Sequence, residues 1–226
     1  YMYYPQEHRC WDYVNSLAAK DNCEFVVPLK AAKKSIHAKN ASAKITEIGH
    51  LCIDRSQQPV TFDASATKKA LDIDDPRQEL VFISGSSQAA ELDFQLLEAL
   101  LKEISKDAHS NFQLRMGLHP GVGKPKEYLE KLLKICEAYP EAHSKFKIIV
   151  TEKFKAKDPS SPIPESPLIL QAEVYGEEAA KAAGRVAQAV PGALLNEAVL
   201  RGKPGYCYDE TVVPYLPKKW FSNSPH

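Results

Sequence analysis

ELVFISGSSQ, residues 79–88, decides how the chain is read. Four consecutive apolar residues, two of them β-branched, stop at Ser-Gly-Ser-Ser, which predicts a short strand buried on both faces and ending in a polar turn. Directly after it, Leu92, Leu96, Leu97, Leu100, Leu101 and Ile104 recur at helical spacing with charges opposite, which predicts a helix over 88–106. Ser86 or Ser87 can cap its first turn, and Lys102 and Lys106 sit favourably at its end.

Downstream the same logic repeats. NFQLRMGL (111–118) reads as a strand, HPGVGKP (119–125) as a turn, and 126–138 as a helix that Pro125 can start and that buries Leu129, Leu132, Leu133 and Cys136. KFKIIVTEKF (145–154) and LILQAEVY (168–175) read as strands. The proline-rich KDPSSPIPESP (157–167) between them is expected to join antiparallel neighbours. EEAAKAAGRVAQAV (177–190) reads as an alanine-faced helix and ALLNEAVLRG as a final short strand. That succession is the split βαβ, ferredoxin-like order over roughly 111–202, within an α+β or α/β sandwich. The alternative is a doubly wound parallel α/β sheet. Upstream, ITEIGHLCID (45–54) and QPVTFDA (58–64), separated by RSQQ, predict an N-terminal hairpin.

The ends carry the strongest compositional bias. Ten of the 20 aromatic residues fall in 1–14 and 206–221, so the enrichment is concentrated at the two ends. Tyr3, Tyr4, Trp11, Tyr13, Tyr206, Tyr208, Tyr215, Trp220 and Phe221 are expected to be docking residues, because buried aromatic anchors supply much of the energy of protein interfaces. Pro204, Pro214 and Pro217 suit an extended tail. The expected organisation is an N-terminal arm (1–24), one α/β domain (25–205) and an extended C-terminal arm (206–226).

Composition narrows the function classes. Twenty-nine basic and 29 acidic residues balance, so no global field draws the chain to nucleic acid or anionic lipid. LVFI (80–83) and similar runs are far too short to span a bilayer, and a soluble protein is expected. Lys30, Lys33, Lys34, Lys39 and Lys44, without an acidic neighbour in 25–46, offer a minor phosphate-contacting segment that is more simply a solvated basic face. The five cysteines show no CxxC spacing, which argues against a disulfide framework or structural zinc. The Tyr1 start is expected to reflect a removed targeting peptide or a fragment boundary.

Three stretches carry candidate chemistry. Ser84, Ser86 and Ser87 follow a strand and open a helix, where backbone N–H groups favour anions. His119 and Lys124 lie in a glycine-rich turn after the next strand, where ligand loops often sit. Cys10 with His50 would suit a thiol nucleophile and base, but no third group orients them. The GxxxxGK[ST], GxGxxG and GxSxG patterns and paired histidine ligands are missing, so no cofactor or metal is expected.

The reading expected from sequence is therefore a non-catalytic accessory subunit of a large assembly, attached through aromatic termini and placed in an organelle, with the mitochondrion favoured over the cytoplasm. The alternative is a small α/β enzyme or anion-binding protein using the loops at 84–87 and 119–124.

Overall fold

The computed structural model describes residues 24–27, 30–38, 40–47, 62–86, 89–106, 111–156, 162–190 and 192–207. The chain divides into two compact units, 1–59 and 60–226.

In the first unit, β1 (Glu24–Val27) pairs parallel with β2 (Lys44–Glu47), and α1 (Lys30–His37) makes the crossover. Ile36 is buried there, with Phe25, Ala43 and Ile45 packed against it. β2 thus lies parallel to an earlier strand. Of the expected hairpin's two runs, 45–54 and 58–64, residues 48–61 fall outside the described residues, and the second run's last residue, Ala64, opens a helix.

The second unit is an α/β sandwich around a six-stranded sheet. Its elements are α2 (Ala64–Ala70), β3 (Glu79–Ser84), α3 (Ala90–Ile104), β4 (Phe112–Gly117), α4 (Pro125–Glu137), β5 (Phe146–Val150), α5 (Glu152–Lys155), β6 (Ile169–Gln171), α6 (Gly176–Ala182), β7 (Arg185–Gln188), α7 (Ala193–Leu200) and β8 (Gly205–Cys207). The strand order is β6-β5-β4-β3-β7-β8, and every pairing is parallel. From β3 the chain steps outward through β4, β5 and β6. It then returns to the other side of β3 for β7 and β8.

β3 lies inside this sheet with both faces covered, as its continuous apolar run predicts. Val81 and Ile83 face one core with Leu97, Leu101, Leu114 and Leu132, beneath α3 and α4. Leu80 and Phe82 face the other with Val186, Ala179, Leu195 and Leu71, beneath α6 and α7. Pro125 opens α4 at its first position, where a missing N–H costs nothing. Asp63 caps α2 by accepting from Ser65 and Ala66 N–H at 2.9 and 3.0 Å.

Arg115 is buried on the α6–α7 face of β4, and among the described residues no carboxylate is hydrogen-bonded to it. Its Nε donates to Leu71 O at 2.6 Å and its Nη2 to Asp72 O at 2.8 Å, which closes the turn after α2, where Asp72 stands in the left-handed region at φ 58°. Burial lowers its pKa to about 10, opposed by the Asp72 charge, so the guanidinium stays protonated at neutral pH.

The ferredoxin-like order expected over 111–202 is not confirmed. β5 and β6 are parallel neighbours, because α5 and the proline-bearing connection carry the chain back across the sheet before β6 begins. The stretch expected as one helix over 177–190 divides at Gly184 into α6 and β7. At Gly184 the chain runs close to Glu79, whose side chain would have to shift to admit a Cβ 2.7 Å away. Burial of Val186 and Ala187 between β3 and β8 overrides alanine's helix preference. ALLNEAVLRG, expected as a strand, is α7.

Candidate functional site at the carboxyl edge of the sheet

Because all six strands run the same way, their carboxyl ends lie along one edge. β3 sits where the strand order reverses, with β4 on one side and β7 on the other. Ser84 pairs in register with Gly117 of β4 and Gln188 of β7, so the three strand ends are level. Gly85 N–H donates to Gly117 O at 3.0 Å and carries this contact one residue beyond β3. A side chain at Gly85 would crowd this contact. A Cβ would stand 3.2 Å from both Gly117 O and Tyr128 Oη and 3.6 Å from His119 N.

The structure brings Ser84, Ser86 and His119 to this edge. Ser84 is buried. Ser86 is half-buried, and its Oγ accepts from Ala89 N–H at 3.2 Å, just ahead of α3. His119 is exposed, with Nδ1 accepting from Gly121 N–H at 2.9 Å. Lys124 stands at the start of α4, exposed, its ammonium paired with Glu127 at 2.9 Å. Ser87, Cys10, His50 and Lys39 lie outside the described residues, as do all the expected docking aromatics except Tyr206. Tyr206 is buried in the middle of β8, within its own sheet. Lys33 and Lys34 both lie on α1, half-buried and exposed respectively.

Sequence reading missed the group that organises the β3–α3 loop. Asp93, in the first turn of α3, is fully buried. Its Oδ2 accepts from Ser86 N–H at 2.7 Å and from Tyr128 O–H at 2.8 Å, so one oxygen ties the loop to α4. Its Oδ1 has no hydrogen-bond partner. Burial raises the Asp93 pKa to about 6, against the lowering effect of the Ser86 and Tyr128 hydrogen bonds. Burial and the neighbouring carboxylate raise the Tyr128 phenol, which keeps its proton and donates. Phe94 packs on Tyr128 with ring centroids 5.2 Å apart, and Lys131 of α4 reaches Glu91 of α3 at 3.1 Å. A signal was available: Asp93 falls three and four residues before Leu96 and Leu97, a carboxylate placed inside an apolar stripe.

Asp93 also limits the chemistry of the loop. The Ser86 N–H, a donor an anion would seek at this strand–helix junction, already serves an internal carboxylate. On the far side of β3, Gln188 Oε1 accepts from Leu195 N–H at 3.1 Å and caps the first turn of α7. The edge therefore offers hydroxyl, imidazole and amide groups rather than a ring of free backbone donors. A hollow of ≈ 10 Å³ lies beside Pro125, Leu129 and Phe154, and another of the same size lies between α6 and α7; neither is lined by Ser84, Ser86 or His119. No group of three or more metal-ligating side chains occurs, and no helix is long and apolar enough to cross a membrane, among the described residues. Neither a protein-family model nor a curated protein sequence matches this chain.

Proposed function

We propose that the protein binds a small polar ligand in the crevice outside the carboxyl ends of β3, β4 and β7. The observation that carries this reading is the reversal of strand order at β3. In open parallel sheets the loops on the two sides of such a reversal diverge, one toward each helix layer, and leave a crevice between them. Ser84, Ser86, His119 and Gln188 border it, and the doubly wound arrangement expected as the alternative from sequence agrees with this placement. Because Asp93 occupies the Ser86 donor, the favoured ligand is an uncharged or weakly anionic polar molecule held by side chains. A phosphate cradled by backbone is less favoured. No reaction is assigned.

A thermal-shift panel of nucleosides, sugars, sugar phosphates and small carboxylates tests this on the parent and on His119→Ala and Ser86→Ala. A ligand present at about 100 times its dissociation constant adds about 2.7 kcal/mol, which in a chain of this size raises the melting temperature by about 5–10 °C. The expected result is such a shift in the parent, reduced in both variants. A panel with no shift, or a shift equal in all three proteins, ends the reading.

The accessory-subunit reading takes second place. It rests on the aromatic bias of the two ends, and Tyr206, the one docking candidate described, is buried by its own sheet. Co-migration of the protein with a reproducible set of partners in a gentle extract would restore it.

A further inference from the structure

A serine hydroxyl in a residue more than nine-tenths buried normally has a hydrogen-bond partner. Ser84, at the carboxyl end of β3, is 7% exposed, and its Oγ has none among the described residues. Among those residues the one fully enclosed side-chain polar atom without a partner is Asp93 Oδ1. Ser84 Oγ is therefore reached from outside, through the small part of the residue that stays open.

A second donor stands beside it. Gln188 of β7 pairs with Ser84 in register. Leu80, Phe82 and Val186 face the core under α6 and α7, and alternation along the strands puts Ser84 and Gln188 on that same side, on backbones about 4.8 Å apart. The Leu195 N–H needs an acceptor, so it fixes the Gln188 amide with Oε1 toward α7. Nε2 is left as a donor without a partner among the described residues. Phe82, the next residue inward on this face, sets its ring against Gly117 and Gly176, where a Cβ would lie 2.8 and 3.9 Å from Cζ. The row thus has an apolar floor and two uncommitted donors.

Among the described residues no cation joins this row. Arg115, two residues before Gly117 on the same face, donates to Leu71 O, Asp72 O and Lys145 O, at the turn after α2 and the amino end of β5, away from the carboxyl ends. Gly176 brings the first turn of α6 to Phe82, and that turn carries Glu177 and Glu178. An anion would shed its hydration here for neutral hydrogen bonds beside carboxylates, whereas an uncharged oxygen gives up far less.

We propose that Ser84 Oγ and Gln188 Nε2 form a subsite that donates two hydrogen bonds to an uncharged oxygen of the ligand, a carbonyl or a hydroxyl, and discriminates against carboxylates and phosphates. This assignment rests on the crevice reading and names the chemistry that the crevice selects.

Dissociation constants for uridine (carbonyl), glucose (hydroxyl), succinate and glucose 6-phosphate are measured on the parent, Ser84→Ala, Gln188→Glu and His119→Ala. Gln188→Glu keeps an acceptor for the Leu195 N–H and replaces only the donor. The expected result is that a neutral probe binds the parent more tightly than either anion. Ser84→Ala weakens that binding about 3–10-fold, the worth of one neutral hydrogen bond, and Gln188→Glu weakens it at least as much. Without ligand, Ser84→Ala melts like the parent, because its hydroxyl serves no other group. Binding that falls in His119→Ala yet is unchanged in both Ser84→Ala and Gln188→Glu overturns the subsite and leaves the crevice reading standing. Tighter binding of glucose 6-phosphate than of glucose, or a Ser84→Ala that melts well below the parent without ligand, also overturns it. A parent that binds none of the four probes overturns the subsite together with the crevice reading.

Discussion

The two strand–helix junctions beside the switch point solve one problem with different chemistry. At β3–α3 a helix residue, Asp93, reaches back to the Ser86 N–H at 2.7 Å; at β7–α7 a strand residue, Gln188, reaches forward to the Leu195 N–H at 3.1 Å. Seven residues separate the partners in each case. One cap is a buried carboxylic acid that also binds Tyr128, and the other is a neutral amide at a half-buried position. The lesson is that an amide closes a loop at any pH, whereas a buried carboxyl makes closure depend on its proton.

The largest effect that would sharpen this contrast comes from Asp93→Ala. It leaves two donors, the half-buried Ser86 N–H and the buried Tyr128 O–H, without this acceptor, and a group orphaned in this way costs about 1–3 kcal/mol when buried. A loss of about 3–4 kcal/mol in urea melts at pH 4.5 is expected on that basis; a loss below about 1 kcal/mol would mean the junction does not depend on its carboxyl.

The pH profile comes next. Folded Asp93 keeps its proton up to about 6, while in the unfolded chain it is lost near 3.8. Over that interval the folded state binds more protons, so this group's contribution to stability is fully present below about 4 and falls as pH rises, by about 3 kcal/mol in all. Asp93→Asn holds no titrating group there. Its stability relative to the parent should therefore improve by about that amount between pH 4 and pH 7. Parallel curves for the two proteins would break the contrast.

The smallest effect belongs to the neutral junction. Gln188→Ala removes one cap hydrogen bond, and about 1 kcal/mol is expected, the same at pH 4.5 and pH 7. A pH-dependent loss at Gln188 would erase the distinction between the two loops.

What could be read from sequence follows side-chain size. β3, α3, β4, α4 and β5 are built from Leu, Ile, Val and Phe, whose spacing reveals both the element and its buried face. From Gly176 to Leu200 the chain packs with alanine, which fits helix and strand alike, and α7 is apolar nearly all round, so periodicity separates neither β7 nor α7. Parallel pairing was hidden for another reason: a proline-rich connection is compatible with either direction, and only the position of β6 beside β5 decides it. At the edge, Ser84, Ser86 and His119 were legible because each follows a strand. Asp93, Tyr128 and Gln188 act through partners 7 or 35 residues away, which no local pattern displays.

Arg115 has a consequence for the order of assembly. The carbonyls it secures belong to Leu71 and Asp72, 44 and 43 residues earlier in the chain. Until β4 is synthesised and seated beside β3, the turn after α2 has no cation to gather its oxygens, whatever helix the preceding residues have formed. On the ribosome, then, α2 emerges first and is fastened late. Closure of so long a loop is slow compared with local helix formation. The N-terminal boundary of this unit is sealed by a strand from its interior, and a nascent chain halted before residue 115 would carry the latch without the bolt.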